Sequence, residues 1–316
     1  MAAAAYNQRV SEVFQKQLGA ATRYCAVFGH PIKHSASPAM QNAGLAALGL
    51  DWRYLAFEVH PDNLREAIAG AKVMKFLGLN LTVPHKLLAV DMVDVLDESA
   101  KTWGAVNTIR FEARGKNDDW QPLQSFEDSA PVQIRTHGFN TDASAITRSL
   151  REDLALELSG KKVLLLGAGG AGRTAGLKLA AEKVSELFLV NRTTAKAEVL
   201  VAEIRQRFPQ VKVSVGYPDE KIDLLLNATS LGLKPDDGLP LDETKFPLSR
   251  ASAVYDMIYR PAETPLLKQA KAAGCRVANG LGMLLYQGAQ ALEIWTGRPA
   301  PVAIMRAALL KEVYGN

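Results

Sequence analysis

Short apolar runs alternate along this chain with stretches whose apolar positions recur at helical spacing. Tyr24–Gly29, Trp52–Val59 and Phe76–Val83 read as strands, and Pro38–Leu50 and Asp62–Val73 as helices. A second series starts at Lys161. Strands are expected at Lys161–Gly167, Glu186–Asn191, Lys212–Val215, Ile222–Thr229 and Ser252–Ile258, with helices from Gly170 and from Thr194. Alternation of this kind predicts an α/β fold built from βαβ units, with a mostly parallel sheet in each half. The halves are expected to meet in a helix over Ala143–Leu158, stopped by Ser159-Gly160. Gly280–Tyr314 reads as two helices separated by Thr296–Pro299, and Tyr6, Val10, Phe14 and Leu18 predict a short amphipathic helix at the start. The stretch Ile109–His137 is rich in Asp, Gln, Pro and Ser and shows little pattern, so it reads as an inserted surface hairpin without chemistry.

A length of 316 residues suggests about two domains. The composition, 48% hydrophobic and 22% charged, is that of a globular protein and excludes long disorder. Lys and Arg number 37 against 33 Asp and Glu, a net charge of +4 with no basic block. That balance argues against nucleic acid as a partner and allows a mildly positive cleft for an anionic ligand. No apolar run approaches the ~18 residues of a membrane span. Asn7, Gln8, Arg9 and Glu12 follow directly on four alanines, so no signal-peptide core is expected. Cys25 and Cys275 each sit in an apolar run and read as buried thiols of a cytoplasmic, reducing compartment.

Chemistry enters at Gly167-Ala168-Gly169-Gly170-Ala171-Gly172, a G-x-G-x-x-G turn between a strand and a helix. The first glycine permits the tight turn, the second lets backbone amides approach a pyrophosphate, and the third lets helix pack on strand. An NAD-binding unit carries an acid at the end of the next strand for the ribose 2′-hydroxyl. Here that strand ends Asn191-Arg192-Thr193 with Lys196 beyond, so a 2′-phosphate meets two cations and NADP is the expected cofactor.

Three further segments sit where strands of the first half end: Gly29–Pro38 with Ser35 and Ser37, Asn80–Lys86 with Thr82, and Gly138–Asp142. Ligands of parallel sheets bind at such ends. Hydroxyls, amides, one carboxylate and one ammonium suit a small polyhydroxy acid. Hydride arriving at a ketone leaves developing alkoxide charge, which an ammonium stabilises and protonates, so Lys86 is the expected acid in reduction. The five histidines show no metal-ligand spacing, and no metal is expected.

From Tyr24 to the C-terminus the chain resembles the shikimate dehydrogenase family of the shikimate/quinate dehydrogenase superfamily. The resemblance rests on VFGHPIKHSASP, GLNLTVPHK, GAVNT, GFNTD, GAGGAG, NRTTAKA, NATSLG, YDMIYRP and NGLGMLLYQ, in the family's order. It implies NADPH-dependent reduction of 3-dehydroshikimate to shikimate in aromatic amino acid (chorismate) biosynthesis. It further implies a substrate-binding and catalytic domain over 1–141, to which helices of about 281–316 return. A Rossmann NADP domain would cover 142–280, with the active site in the cleft. Ser35 and Ser37, helped by Tyr259, would bind the carboxylate. Thr82, Asn107, Asp142 and Gln287 would hold ring hydroxyls and the reacting oxygen, and Lys86 with Asp142 would form the catalytic pair. Gly280 and Met283 would line the nicotinamide, Thr229 with the glycine turn the rest of the cofactor, and Met257 would also belong to the cofactor site. The chain departs from the family pattern at Gln41, Ala143, Ala145 and Leu233, none of them a proposed catalytic group. A quinate/shikimate or aminoshikimate dehydrogenase, and a catalytically silent metabolite sensor of the same fold, are the alternatives. Only small-molecule partners are expected, on a monomer or homodimer.

Overall fold

The computed structural model of the chain describes residues 18–115, 117–126, 133–234 and 236–315. The N-terminal helix expected through Tyr6, Val10 and Phe14 lies outside them. The chain divides into two compact units, Met1–Thr141 with Leu285–Asn316, and Asp142–Leu284.

The first unit runs β1 (Arg23–Gly29), α1 (Ser37–Ala47), β2 (Trp52–Glu58), α2 (Leu64–Val73), β3 (Gly78–Leu81), α3 (His85–Leu88), β4 (Val95–Leu96), α4 (Glu98–Trp103), β5 (Thr108–Arg114), β6 (Trp120–Pro122) and β7 (Ile134–Phe139). Its sheet has the order β2-β1-β3-β5-β7-β4, with β6 on β5. The β2-β1-β3 side is parallel, as the βαβ pattern requires. The strand β5 runs antiparallel to both β3 and β7.

This last pairing corrects the reading of Ile109–His137 as a surface insertion. Ile109, Phe111 and Ala113 are fully buried, and β5 lies in the middle of the sheet. Its other face carries Arg110, Glu112 and Arg114, whose charges mask the period-two apolar alternation in the sequence. Glu112 is only 2% exposed and is held by the Arg110 guanidinium, by Arg135 at 2.7 Å and by His137 Nδ1 at 2.9 Å. Burial pushes the Glu112 carboxyl up, but bonds from His137, Arg110 and Arg135 outweigh it and bring its pKa down to about 2. A pKa depressed on folding stabilises the native state above the unfolded carboxylate range, and that contribution is lost as pH falls toward 2. Glu112→Gln is therefore expected to flatten the acid limb of stability between roughly pH 4.5 and 2. Denaturant unfolding at stepped pH reads this directly, and a mutant curve parallel to wild type over that window contradicts it.

The second unit runs α5 (Asp142–Leu154), β8 (Lys162–Leu166), α6 (Gly170–Ala181), β9 (Glu186–Val190), α7 (Thr194–Arg207), β10 (Lys212–Val215), β11 (Ile222–Asn227), β12 (Ala251–Asp256), α8 (Pro265–Ala272) and β13 (Arg276–Asn279). Its six strands are all parallel in the order β10-β9-β8-β11-β12-β13. In strand sequence this is 3-2-1-4-5-6, the doubly wound order. Near-continuous apolar runs are what a sheet buried on both faces needs, and Val163 to Leu166 and Leu224 to Leu226 are 0% exposed.

The helix α9 (Leu281–Thr296) leads out of the second unit, and α10 (Val302–Tyr314) follows in the first. Trp295 of α9 anchors that return, its indole Nε1 donating to the Ile109 carbonyl at 2.9 Å. The indole lies directly over Gly78, where an added Cβ would stand 2.1 Å from Nε1. Gly78→Ala is thus expected to cost about 3 kcal/mol of stability, as overpacking against a rigid aromatic does. A denaturant midpoint unchanged from wild type would contradict this packing. Both cysteines are free and buried, Cys25 in β1 of the first unit and Cys275 ahead of β13 in the second.

Candidate active site

In the first unit the loops after β1 and β3 are stitched together by their backbones. The Thr82 amide donates to the Phe28 carbonyl at 3.0 Å and the His30 amide to the Val83 carbonyl at 3.1 Å. The segment carrying Ser35 and Ser37 and the segment carrying Thr82 and Lys86 therefore share one end of the sheet. Ser37 opens α1 with Pro38 following, and its amide donates to Ser35 Oγ at 3.4 Å.

A buried polar network underlies these loops. The Tyr54 hydroxyl donates to Asn80 Oδ1 at 2.8 Å. Asn80 Nδ2 donates to Thr108 Oγ1 at 3.0 Å and to the Asn107 carbonyl at 3.2 Å. Asn107 Nδ2 donates to Thr141 Oγ1 at 2.9 Å, and the Thr141 amide returns a bond to Asn107 Oδ1 at 2.8 Å. Satisfied buried networks fix a single arrangement, because any broken link leaves a dry, unpaired dipole. This one fixes the strand ends that present Thr82, Asn107 and the step from Thr141 to Asp142.

Lys86 is the second residue of α3 and half-buried. Its carbonyl accepts from the Val106 amide at 2.8 Å, which seats its backbone beside Asn107. The preceding His85 is fully buried, and burial pushes its imidazole pKa down, so it is neutral at pH 7. Gln287 lies half-buried on α9 in the same unit. Its neighbour Gly288 accepts from Gln41 Nε2 at 2.9 Å, so the departure Gln41 holds α9 against α1.

In the second unit the glycine turn behaves as its spacing requires. Gly167 has φ +103°, a region that favours glycine, and its Cβ position faces the Ala228 carbonyl oxygen at 3.0 Å. A Cβ at Gly172 would stand 2.1 Å from the Gly167 carbonyl oxygen, whereas one at Gly169 or Gly170 meets open space. The amino end of α6 has no side-chain cap and no acid in its first turn, so its amides are available to an anion. Asn191 is used internally, its Oδ1 accepting from the Ala168 amide at 3.0 Å and its Nδ2 donating to the Thr193 carbonyl at 2.9 Å. Arg192, Thr193 and Lys196 are exposed beside it, and no carboxylate pairs with either cation among the described residues. These features fit a dinucleotide with a 2′-phosphate.

Thr229 lies against Gly167, its Cγ2 3.1 Å from the Cβ position there. Gly280 is pressed onto Met257, whose carbonyl oxygen is 2.0 Å from the Cβ position, so the structure brings those two together at the ends of β12 and β13. Met283 follows in the first turn of α9. Tyr259 is half-buried, and burial pushes its hydroxyl pKa up, which keeps it a hydrogen-bond donor at neutral pH. Asp142 is the first residue of α5 and only 7% exposed.

Sequence reasoning missed Tyr54 altogether, and it marked Thr108 and Thr141 only as members of their motifs, with no role of their own. Asn80 was noticed only as part of its segment. The signal for Thr108 and Thr141 was their place directly after Asn107 and Asn140, inside two of the quoted motifs.

A doubly wound parallel sheet with a glycine turn, an uncapped helix amino end and two unpaired cations defines a dinucleotide-dependent enzyme class. Three family models match. They are described as Shikimate dehydrogenase substrate binding domain over residues 27–109, Shikimate / quinate 5-dehydrogenase over 149–230, and Shikimate 5'-dehydrogenase C-terminal domain over 280–310. The protein named Shikimate dehydrogenase (NADP(+)) from Methanopyrus kandleri is 39% identical over 93% of this chain and 97% of its own. A crystal structure of a shikimate dehydrogenase in complex with NADP+ superposes with a TM-score of 0.79 at 34% identity, covering 94% of this chain and 98% of that one. A 5-ketofructose reductase from Gluconobacter sp. strain CHM43, in ligand-free form, superposes with a TM-score of 0.76 at 33% identity, covering 92% and 99%. The chain belongs to the shikimate dehydrogenase family.

Proposed function

We propose that this chain catalyses the reversible NADPH-dependent reduction of 3-dehydroshikimate to shikimate, in aromatic amino acid biosynthesis. The observation that supports the reading most strongly is the buried network from Tyr54 through Asn80 and Asn107 to Thr141, together with the backbone bonds that tie the Ser35 and Lys86 segments to each other. It makes one rigid frame for the hydroxyl, amide and lysine segments that a small polyhydroxy acid requires.

In this reading Ser35, Ser37 and the protonated Tyr259 hydroxyl donate to the substrate carboxylate. Thr82, Asn107, Asp142 and Gln287 bind the ring hydroxyls and orient the reacting carbonyl. The Lys86 ammonium donates to the ketone oxygen and delivers a proton as negative charge develops there. Asp142 orients that amine and accepts from the adjacent ring hydroxyl. NADPH, when bound, supplies the hydride. The turn from Gly167 to Gly172 and the amino end of α6 hold the pyrophosphate, and Arg192 and Lys196 the 2′-phosphate. Asn191 and Thr193 shape that corner, and Thr229, Met257, Gly280 and Met283 line the remaining length of the cofactor.

Residues 1–141 with about 281–316 then form the substrate-binding and catalytic domain, and 142–280 the NADP domain. The two free thiols suit a cytoplasmic, reducing compartment, and a monomer or homodimer handling only small molecules suffices for this chemistry. No helix among the described residues is long and apolar enough to cross a membrane.

A second reading, reduction of a different polyhydroxy ketone, gains weight from the 33% identity to the 5-ketofructose reductase. Product analysis separates the two. Incubation with 3-dehydroshikimate and NADPH is expected to yield shikimate, identified by chromatography against the authentic compound. NADPH consumption without shikimate, or no consumption at all, would overturn the reading.

A further inference from the structure

At the opposite end of the first unit's sheet lies a cavity of about 910 Å³, well within the size range of metabolite pockets. Its walls come from the amino ends of the parallel strands: Arg23 and Tyr24 open β1, Trp52 opens β2, and Lys75 precedes β3. The candidate substrate segments follow the carboxyl ends of the same strands. The seven residues of β1 put roughly 20 Å between the two ends.

The charge of this cavity is one-sided. Arg23, Lys75 and Arg298 line it, and no carboxylate does among its described lining residues. Arg23 is half-buried, and burial lowers its pKa. Its guanidinium is fixed by two backbone carbonyls, donating to Leu123 O at 2.9 Å and Gln124 O at 3.2 Å. Arg298 is exposed, and its Nη1 donates to Leu48 O at 3.2 Å. Asp51, which follows the lining residue Leu50, lies 3.7 Å from Arg53 and accepts from the Thr22 hydroxyl at 3.4 Å. Half-buried cations ordinarily have acid partners, because neutral carbonyls offset only part of the lost hydration. Here the half-buried Arg23 guanidinium is held in place by neutral dipoles, the exposed Arg298 and Lys75 stand beside it, and Thr22 and Ser125 complete the polar lining.

We propose that this cavity is a second ligand site, separate from the active site, for a small multiply charged anion bearing phosphate or several carboxylates. Fixed guanidiniums recognise both groups through paired N–H donors, and the lysine adds a point charge. A ligand there touches none of the groups assigned to catalysis, so its binding adds to the stability of the first unit by mass action without entering the reaction.

The test is isothermal titration of the full-length protein, saturated with NADP so that the nucleotide's own phosphate sites are filled. The probes are inorganic pyrophosphate in one arm and citrate in the other, at matched ionic strength. One saturable site is expected, and the tighter arm identifies the anion class. The double variant Lys75→Gln/Arg298→Gln should weaken the tighter probe at least about tenfold while turnover stays at the wild-type level. The single change Lys75→Gln, at an exposed side chain that makes no hydrogen bond or ion pair among the described residues, should weaken it about threefold and guards against misfolding of the double variant. No saturable binding in either arm, or binding undiminished in these variants, overturns the proposal.

Discussion

Replacing Lys86 by alanine is expected to lower kcat by roughly three orders of magnitude while the dissociation constants of shikimate and NADP move by less than about threefold. The argument rests on where the residue sits. Its backbone is pinned by the Val106 amide at 2.8 Å, and its segment is stitched to the Ser35 segment by the Thr82 and His30 amides. Truncating the side chain therefore removes an ammonium without loosening the frame. In the proposed role the lost group is the one that meets alkoxide charge as it forms, an interaction made mainly in the transition state, so kcat should fall far more than binding. Stopped-flow single turnovers with equilibrium titrations check the split. A variant that loses binding and keeps kcat would make Lys86 a substrate clamp. A variant with near-wild-type turnover would remove it from the chemistry.

The second large effect concerns the cofactor. Arg192→Leu with Lys196→Leu is expected to raise KM for NADP about a hundredfold and to leave KM for NAD nearly unchanged. Both side chains are exposed beside the Asn191 corner, and neither has a carboxylate partner among the described residues to be orphaned by the change. The fold should be indifferent to the pair, so the loss reports the 2′-phosphate alone. Asn191 behaves differently, because it ties the Ala168 amide to the Thr193 carbonyl. Changing it should weaken both nucleotides together by distorting the glycine turn. Parallel loss of NADP and NAD in the Arg192/Lys196 variant would contradict the assignment.

The second unit was the more legible half of the sequence. Its strands β8, β11 and β12 each carry a continuous apolar stretch, Val163 to Leu166, Leu224 to Leu226 and Ala253 to Tyr255, because a parallel sheet covered on both faces leaves little polar side to show. The strand β13 went unread: Arg276 is exposed, the next three residues are only half-buried, and the short run around Cys275 is broken by that arginine. In the first unit β5 was hidden for a different reason. Its buried face, Ile109, Phe111 and Ala113, alternates with Arg110, Glu112 and Arg114, and the acid's burial depends on partners contributed by β7. No local pattern reveals that compensation.

The candidate site divides along the same line. Motifs mark Ser35, Lys86, Asn107 and the glycine turn because they cluster where strands end. The supporting bond between Asn107 and Thr141 spans 34 positions and exists only because β5 and β7 pair in one register. Tyr54 carries no local mark at all, since a tyrosine in an apolar strand looks like core until Asn80 is found at its hydroxyl.

The most direct test of the central claim is a matrix of initial rates for the purified protein, with shikimate, quinate and D-fructose each offered with NADP and with NAD. The account predicts that shikimate with NADP gives the highest kcat/KM. A higher value for quinate with NAD, or for the ketose-related sugar with either nucleotide, would contradict the proposed substrate, and tight binding without turnover in every cell would contradict the enzyme itself.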